Sequence, residues 1–288
     1  MKTLLALLLG CLVIMGQDFS GLEVRKVASG HTFTEGPVWS PKGYLLYSDV
    51  REAKIWRLEP GKKPELFREH SNGANGNAID GRGRLYSCEV HARRLTRTDE
   101  FGNISVLMAA WEGKRLNATN DIVIRRDGHV YFTDPAFGQR EQGRELGFYA
   151  VYHLTPDLQA GIVAKPKGRP NGIGLSPDGR ILYVANTDEE RLYAYDLDDG
   201  GRASNERAAV EKVNGRPDGI AVDALGNIYV AADGVPVYSP AGKLLHVIEV
   251  PEKPTNCAFG GDDLQTLYIT AQTSVYAVHL KVKGALHY

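Results

Sequence analysis

An all-β chain wound into a six-bladed β-propeller, with four-stranded blades and the ring closed by an N-terminal strand, is the fold class this sequence predicts. Three observations predict it: a Tyr-centred strand motif that recurs six times, turn residues ahead of most copies, and a strand pattern left over near the start of the chain.

The motif reads GYLLYSD from Gly43, GRLYSCE from Gly83, GHVYFTD from Gly128, GRILYVAN from Gly179, GNIYVAAD from Gly226 and a degenerate DLQTLYITAQ from Asp263. Its tyrosines, Tyr47, Tyr86, Tyr131, Tyr183, Tyr229 and Tyr268, lie 39, 45, 52, 46 and 39 residues apart, the period of a propeller blade. Turns such as SPKG at Ser40, RRDG at Arg125, SPDG at Ser176 and DALG at Asp223 precede it, their Pro, Asp and Gly supplying the backbone angles of a tight hairpin. A third strand follows in each unit, from Lys54, Arg93, Ala150, Arg191, Val235 and Ser274, and a fourth in ELFREH, ISVLMAA, QAGIVAK, AAVEKV and LLHVIEV. The sixth unit has no fourth strand of its own. LEVRKVA from Leu22 is the spare, and adding it to the last sheet closes the ring and removes the exposed edges of a linear array.

The first strand of each blade precedes its Tyr: EGPVW at Glu35, NGNAI at Asn75, NDIVI at Asn120, NGIGL at Asn171, DGIAV at Asp218 and TNCAF at Thr255. Each opens on a side chain bearing oxygen. First strands line the channel of a propeller, so Glu35, Asn75, Asn120, Asn171, Asp218 and Thr255 are expected to face one another at one end of the axis. Two carboxylates with amide oxygens, and no His or Cys, describe a hard-cation site, with Ca²⁺ ahead of other divalent cations because it accepts six to eight oxygens in irregular geometry. The competing explanation is that the Asx-Gly pairs only make turns.

Composition removes other classes. The chain of 288 residues is 43% hydrophobic, enough for a large core, and its 34 Lys plus Arg against 35 Asp plus Glu, without a long basic run, give no footprint for nucleic acid. Lys2, the apolar run Leu4 to Met15 and the small Gly16 read as a signal peptide over residues 1–16, followed by one propeller domain over 17–288. Export to the periplasm or the extracellular space is expected. Lipid anchoring at Cys11 is the lesser alternative, because the hydrophobic stretch continues past it. Cys88 and Cys257 are expected to be buried structural thiols.

The segments EGPVW at Glu35, KRLNATNDIVIRRDGHVYFTDPAFG from Lys114, RPNGIGLSPDGRILYVANT from Arg169, RPDGIAVDALGNIYVA from Arg216 and PTNCAFGG from Pro254 resemble the senescence marker protein 30, gluconolactonase and luciferin-regenerating-enzyme family. The resemblance spans nearly the whole chain after residue 16. It implies metal-dependent hydrolysis of lactones, chiefly sugar lactones, with Glu35, Asn171 and Asp218 as metal ligands and Asn120 as a neighbouring ligand or substrate contact. It also implies Asp218 as base or nucleophile, and Asn117 and Asp121 as supporting or substrate contacts. Asn75 and Thr255, completing the ring, are assigned to the substrate. The Arg-x-Asn-Asp pattern of the animal members reads Ala118-Thr119-Asn120-Asp121 here, and CEVHARR from Cys88 displaces His91 by one position from the gluconolactonase pattern. Both departures bear on substrate preference.

On this reading the cation polarises the lactone carbonyl and acidifies water, and Asp218 takes the proton or attacks. A Ser-His-acid hydrolase is excluded, since no G-x-S-x-G occurs. The other class of function is a secreted, non-catalytic propeller that binds a glycan or a protein and keeps calcium for rigidity. The partner expected is a small-molecule lactone; no stable protein partner is implied. PAFGQREQGRELG, from Pro135 to Gly147, is long enough to cover the mouth of the site; its Arg140 and Arg144 read as a solvated loop, or else as contacts to an anionic substrate. His31 and His91 read as structural.

Overall fold

In the computed structural model, which describes residues 17–285, six four-stranded antiparallel sheets follow one another along the chain. Blade 1 runs Thr34–Ser40, Tyr44–Asp49, Lys54–Leu58 and Glu65–Arg68; blade 2 runs Ala74–Ile79, Leu85–Glu89, Arg94–Thr98 and Ile104–Met108. Blade 3 holds Ile122–Ile124, Val130–Asp134, Ala150–Leu154 and Ala160–Ala164, and blade 4 holds Pro170–Leu175, Ile181–Asn186, Arg191–Leu197 and Ala203–Val210. Blade 5 comprises Ile220–Val222, Ile228–Val230, Val235–Tyr238 and Leu244–Ile248; blade 6 comprises Pro254–Gly260, Thr266–Ala271 and Ser274–His279. The fold is the six-bladed β-propeller that the repeat predicts. The expected leader, residues 1–16, lies outside the described residues.

The repeated tyrosine has a physical role. Tyr47, Tyr131 and Tyr229 are fully buried, and Tyr86, Tyr183 and Tyr268 nearly so. The rings fill the space between blades: Tyr131 packs with Ile173, Leu175, Leu182 and Val184 of blade 4, and Tyr229 meets Phe259 of blade 6 edge-on at 5.1 Å. Four hydroxyls find partners: Tyr47 with His31 Nε2 at 2.8 Å, Tyr86 with Asp80 Oδ2 at 3.2 Å, Tyr131 with the Gly201 carbonyl at 2.8 Å and Tyr229 with Asp223 Oδ2 at 3.1 Å. Asp80 and Asp223 do the same job twice over. Asp80 Oδ1 accepts the backbone N–H of Arg82 and Arg84, both at 3.0 Å, and Asp223 Oδ1 accepts those of Leu225 and Asn227, both at 2.9 Å, which pins the turn into the Tyr strand.

The ring closes as expected, although the closing strand is Arg25–Ser29 rather than a segment starting at Leu22. It pairs antiparallel with Ser274–His279, Lys26 opposite Tyr276 and Ser29 opposite Ser274. Glu252, from the loop between blades 5 and 6, clasps both sides of this seam. It accepts Lys26 Nζ at 3.0 Å, Ser274 Oγ at 2.6 Å, Tyr276 Oη at 2.9 Å and the Thr273 N–H at 3.0 Å. Cys88 and Cys257 are free and buried. Two short elements were not expected: a hairpin of Ala110–Trp111 with Lys114–Arg115, and a 3₁₀ helix, Gly138–Gly143, inside the loop after Pro135.

Candidate active site

Gly36, Gly76, Gly172 and Gly219 follow the oxygen-bearing residues because neighbouring blades touch at the channel. The N–H of Gly76 donates to the Asn120 carbonyl at 2.8 Å, that of Gly172 to the Asp218 carbonyl at 3.0 Å and that of Gly219 to the Thr255 carbonyl at 2.9 Å. A Cβ on Gly172 would stand 2.1 Å from the Asp218 carbonyl oxygen; one on Gly36, whose φ is +47°, would stand 1.9 Å from that of Asn75. The Asx-Gly pairs therefore serve close approach of backbones, and this contact aims the preceding side chains at one another.

Five of the six aligned side chains share one cavity. It has a volume of about 390 Å³ and is lined by Glu35, Asn75, Asn120, Asn171 and Asp218, with Phe33, Val50, Val90 and Phe137 as apolar flanks and Arg51, His91 and Arg140 also on its wall. Glu35, Asn75, Asn120 and Asn171 are buried, whereas Asp218 is half-buried and Arg51, His91 and Arg140 are exposed, so acids and amides form the floor and two arginines with an imidazole the rim.

The sixth residue turns away. Thr255 Oγ1 donates to the Thr34 carbonyl at 2.7 Å and bonds Thr270, tying blade 6 to blade 1, and it does not line the cavity. Asn117 is outside it as well. Its Nδ2 donates to the carbonyls of Asp134 and Phe148, both at 3.0 Å, and its N–H donates to Asp134 Oδ2 at 2.8 Å. Asp121 occupies the position that is Gly in four other blades and points along the channel away from the floor. Its carboxylate accepts the N–H groups of Ile122 at 3.0 Å and Ile173 at 3.3 Å and Asn256 Nδ2 at 3.4 Å, next to an apolar cavity at the other end of the channel.

Electrostatics single out the floor. Burial, then the charges of Asp218 and Asp121, push the Glu35 carboxyl well above the usual carboxylate range. Burial, then Asp121, pushes Asp218 up to about 7, against a hydrogen bond from Asn171 that lowers it. Asn75 Oδ1 is buried without a hydrogen-bond partner among the described residues. Carboxylates that burial and mutual repulsion hold at high pKa, with the amide side chains of Asn120 and Asn171 on the same cavity floor, are the environment a divalent cation relieves. The donor set is all oxygen, which suits Ca²⁺ or a similar hard cation.

A second set of acceptors positions the floor, and its signal stood in the repeat unread: the polar residue that closes the Tyr strand. Asp49 accepts the N–H of Thr32 at 2.8 Å and of Phe33 at 3.1 Å, just ahead of Glu35. Asp134 accepts those of Asn117 at 2.8 Å and Ala118 at 2.9 Å, just ahead of Asn120; burial pushes its carboxyl up to about 7. Asn171 Nδ2 donates to Thr187 Oγ1 at 3.0 Å, one residue past the equivalent Asn186.

The family model described as the SMP-30/Gluconolactonase/LRE-like region matches residues 33–273, from the first strand of blade 1 to the second strand of blade 6. The chain belongs to this family. It is 30% identical over 293 residues to a gluconolactonase of Zymomonas mobilis, covering 91% of this chain and 82% of that one. To a 6-deoxy-6-sulfogluconolactonase of Pseudomonas putida it is 30% identical over 253 residues, covering 82% of each. Among solved structures, a gluconolactonase of Xanthomonas campestris superposes with a TM-score of 0.85 at 31% identity, over 91% of this chain and 90% of that one.

Proposed function

We propose that this member of the family is a lactone hydrolase acting on sugar lactones, with the reaction at the cavity floored by Glu35, Asn120, Asn171 and Asp218. One observation carries the proposal: two carboxylates and three amide side chains from five blades converge on a single cavity, in a chain 30% identical to a gluconolactonase.

Glu35, Asn120, Asn171 and Asp218 would hold the divalent cation, calcium first, which when bound polarises the lactone carbonyl and makes water more acidic. Asp218, alone among these four in being only half-buried, reaches the space a substrate fills and takes the proton of the attacking water. The water oxygen bonds the carbonyl carbon, the ring C–O bond breaks, and the proton passes to the departing alkoxide to give the hydroxy acid. Asn171 orients the Asp218 carboxylate through its hydrogen bond, and Gly172 holds the Asp218 backbone at 3.0 Å. The free Oδ1 of Asn75 accepts a sugar hydroxyl, while Phe33 and Phe137 cover the C–H faces of the sugar and exclude water. Thr255, Asn117 and Asp121 act in this reading by holding the ring together. Residues 1–16 serve as a removable leader for export.

The test is proton release from a panel of sugar and aliphatic lactones by chelator-stripped protein, with and without added Ca²⁺. Hydrolysis restored by the metal is expected. Background rates with every lactone, alongside a Ca²⁺-induced rise in melting temperature, would instead favour a binding protein.

A further inference from the structure

The rim of the cavity has a charge that hydrolysis of a neutral sugar lactone leaves unused. Three other arginines are committed to carboxylates: Arg169 and Arg216 share Asp188, and Arg144 pairs with Glu141 at 3.0 Å. Arg51 and Arg140 line the cavity and form no ion pair among the described residues. Arg51 lies over the ring of Phe33, with 5.2 Å from the guanidinium carbon to the ring centre, which holds its planar fork in place without using its N–H donors. Arg140 is carried into the wall by the 3₁₀ helix Gly138–Gly143, and Ala118, which lines the same cavity, presents only a methyl group. Of the two arginines in the loop after Pro135, only Arg140 faces the cavity; Arg144 is held by Glu141 and stacks on Tyr149.

We propose that the site selects lactones bearing an anionic group, such as a phosphate or a carboxylate, on the carbon remote from the lactone carbonyl, with Arg51 and Arg140 as its counter-charges. The proposal rests on the lactone-hydrolase reading and adds the substrate class to it. The carboxylates of Glu35 and Asp218 on the floor are engaged with the cation in the loaded enzyme, while the rim carries two guanidinium groups outside any ion pair among the described residues, which bind oxyanions through paired N–H donors. A substrate with its anion remote from the carbonyl therefore enters in one orientation, reacting end down. A neutral lactone has no such guide.

The experiment compares kcat/KM of the Ca²⁺-loaded enzyme for glucono-1,5-lactone, its 6-phosphate and a glucaric acid lactone, at low and high salt, in the unaltered chain and in Arg51→Gln, Arg140→Gln and the double variant. The expected result is a preference of tenfold or more for at least one anionic lactone, which shrinks with salt and collapses toward one in the double variant. Whether phosphate or carboxylate is preferred names the anion. Both side chains are exposed, so the variants are expected to keep their melting temperature; the substrate preference and its salt dependence need no variant. Equal kcat/KM for neutral and anionic lactones overturns the proposal and leaves lactone hydrolysis standing. Failure to hydrolyse any lactone overturns the reading beneath it, and the proposal with it.

Discussion

Asn256 Nδ2 donates to Asp121 Oδ2 at 3.4 Å, joining blades 3 and 6, which face each other across the channel. Two further donors, the backbone N–H groups of Ile122 and Ile173, meet the same buried carboxylate, so one side chain links three blades at the axis. Replacing Asp121 by Ala leaves these donors without a partner. A loss of about 2–4 kcal/mol follows from orphaning buried donors. Denaturant unfolding measures it, and a change below about 0.5 kcal/mol would show that the link holds nothing together.

The close approach of backbones predicts the cost of a methyl group. Gly36→Ala and Gly172→Ala would each drive a Cβ to within 2.1 Å or less of a carbonyl oxygen in the next blade. Each is expected to cost about 3 kcal/mol or more, since backbone rather than a flexible side chain must yield. Gly143→Ala, where nothing lies within 4 Å, is the control and is expected to be near neutral. Thermal melts of the three variants decide it; equal melting temperatures would contradict the packing.

Ring closure depends on Glu252. Burial opposes its ionisation, but the Ser274 hydroxyl, the Lys26 ammonium, the Thr273 N–H and the Tyr276 hydroxyl outweigh it and hold the carboxyl down at about 2. A carboxyl depressed below its unfolded value, about 4.3, stabilises the fold above that pH and loses the effect as pH falls toward 2. Glu252→Gln is therefore expected to lower the melting temperature at pH 7, by about 1–2 kcal/mol of stability, with the gap to the parent closing between about pH 4 and pH 2. A gap that is unchanged with pH would show that the charge is not what clasps the seam.

Asp134 is expected to act at a distance from the substrate. Its two oxygens fix the N–H groups of Asn117 and Ala118, the segment that delivers Asn120 to the floor. Asp134→Ala is predicted to weaken Ca²⁺ binding about 10–100-fold, the usual range for losing a group that orients a ligand. Calorimetric titration with Ca²⁺ measures it, with the melting temperature recorded beside it. Unaltered affinity in a folded variant would remove Asp134 from this role.

The fold was legible because one residue repeats under one constraint. Tyr86, Tyr131, Tyr183, Tyr229 and Tyr268 each pack toward the following blade, and Tyr47, one place out of register, packs toward blade 6 while Leu46 faces blade 2, so the spacing of a single residue type still counts the blades. The floor was legible for the related reason that Glu35, Asn75, Asn120, Asn171 and Asp218 share a register position. Thr255 holds that position too, but its hydroxyl is short and finds the Thr34 carbonyl nearby; register does not report where a side chain turns. Asp121 and Asn256 replace glycine, and only the closed ring shows that they meet. Arg51 and His91 each follow the closing residue of a Tyr strand by two, a shared position that went unread, whereas Arg140 comes from the loop after Pro135, outside the repeat, and no spacing brings it to them. The residues closing the Tyr strands, Asp49 and Asp134, lay inside the repeat, but their bonds reach segments 15 or more residues upstream.

Asp218 is proposed to move the proton in lactone hydrolysis at the oxygen-lined floor. The most direct test of this role measures kcat for the best lactone with Asp218→Asn at Ca²⁺ concentrations that saturate each protein, with the Ca²⁺ affinity of both determined separately by calorimetry. Asn keeps a metal-binding oxygen but cannot take the proton, so kcat is predicted to fall about 10²–10⁴-fold while Ca²⁺ still binds. Parental kcat in a Ca²⁺-saturated Asp218→Asn protein would remove Asp218 from proton transfer.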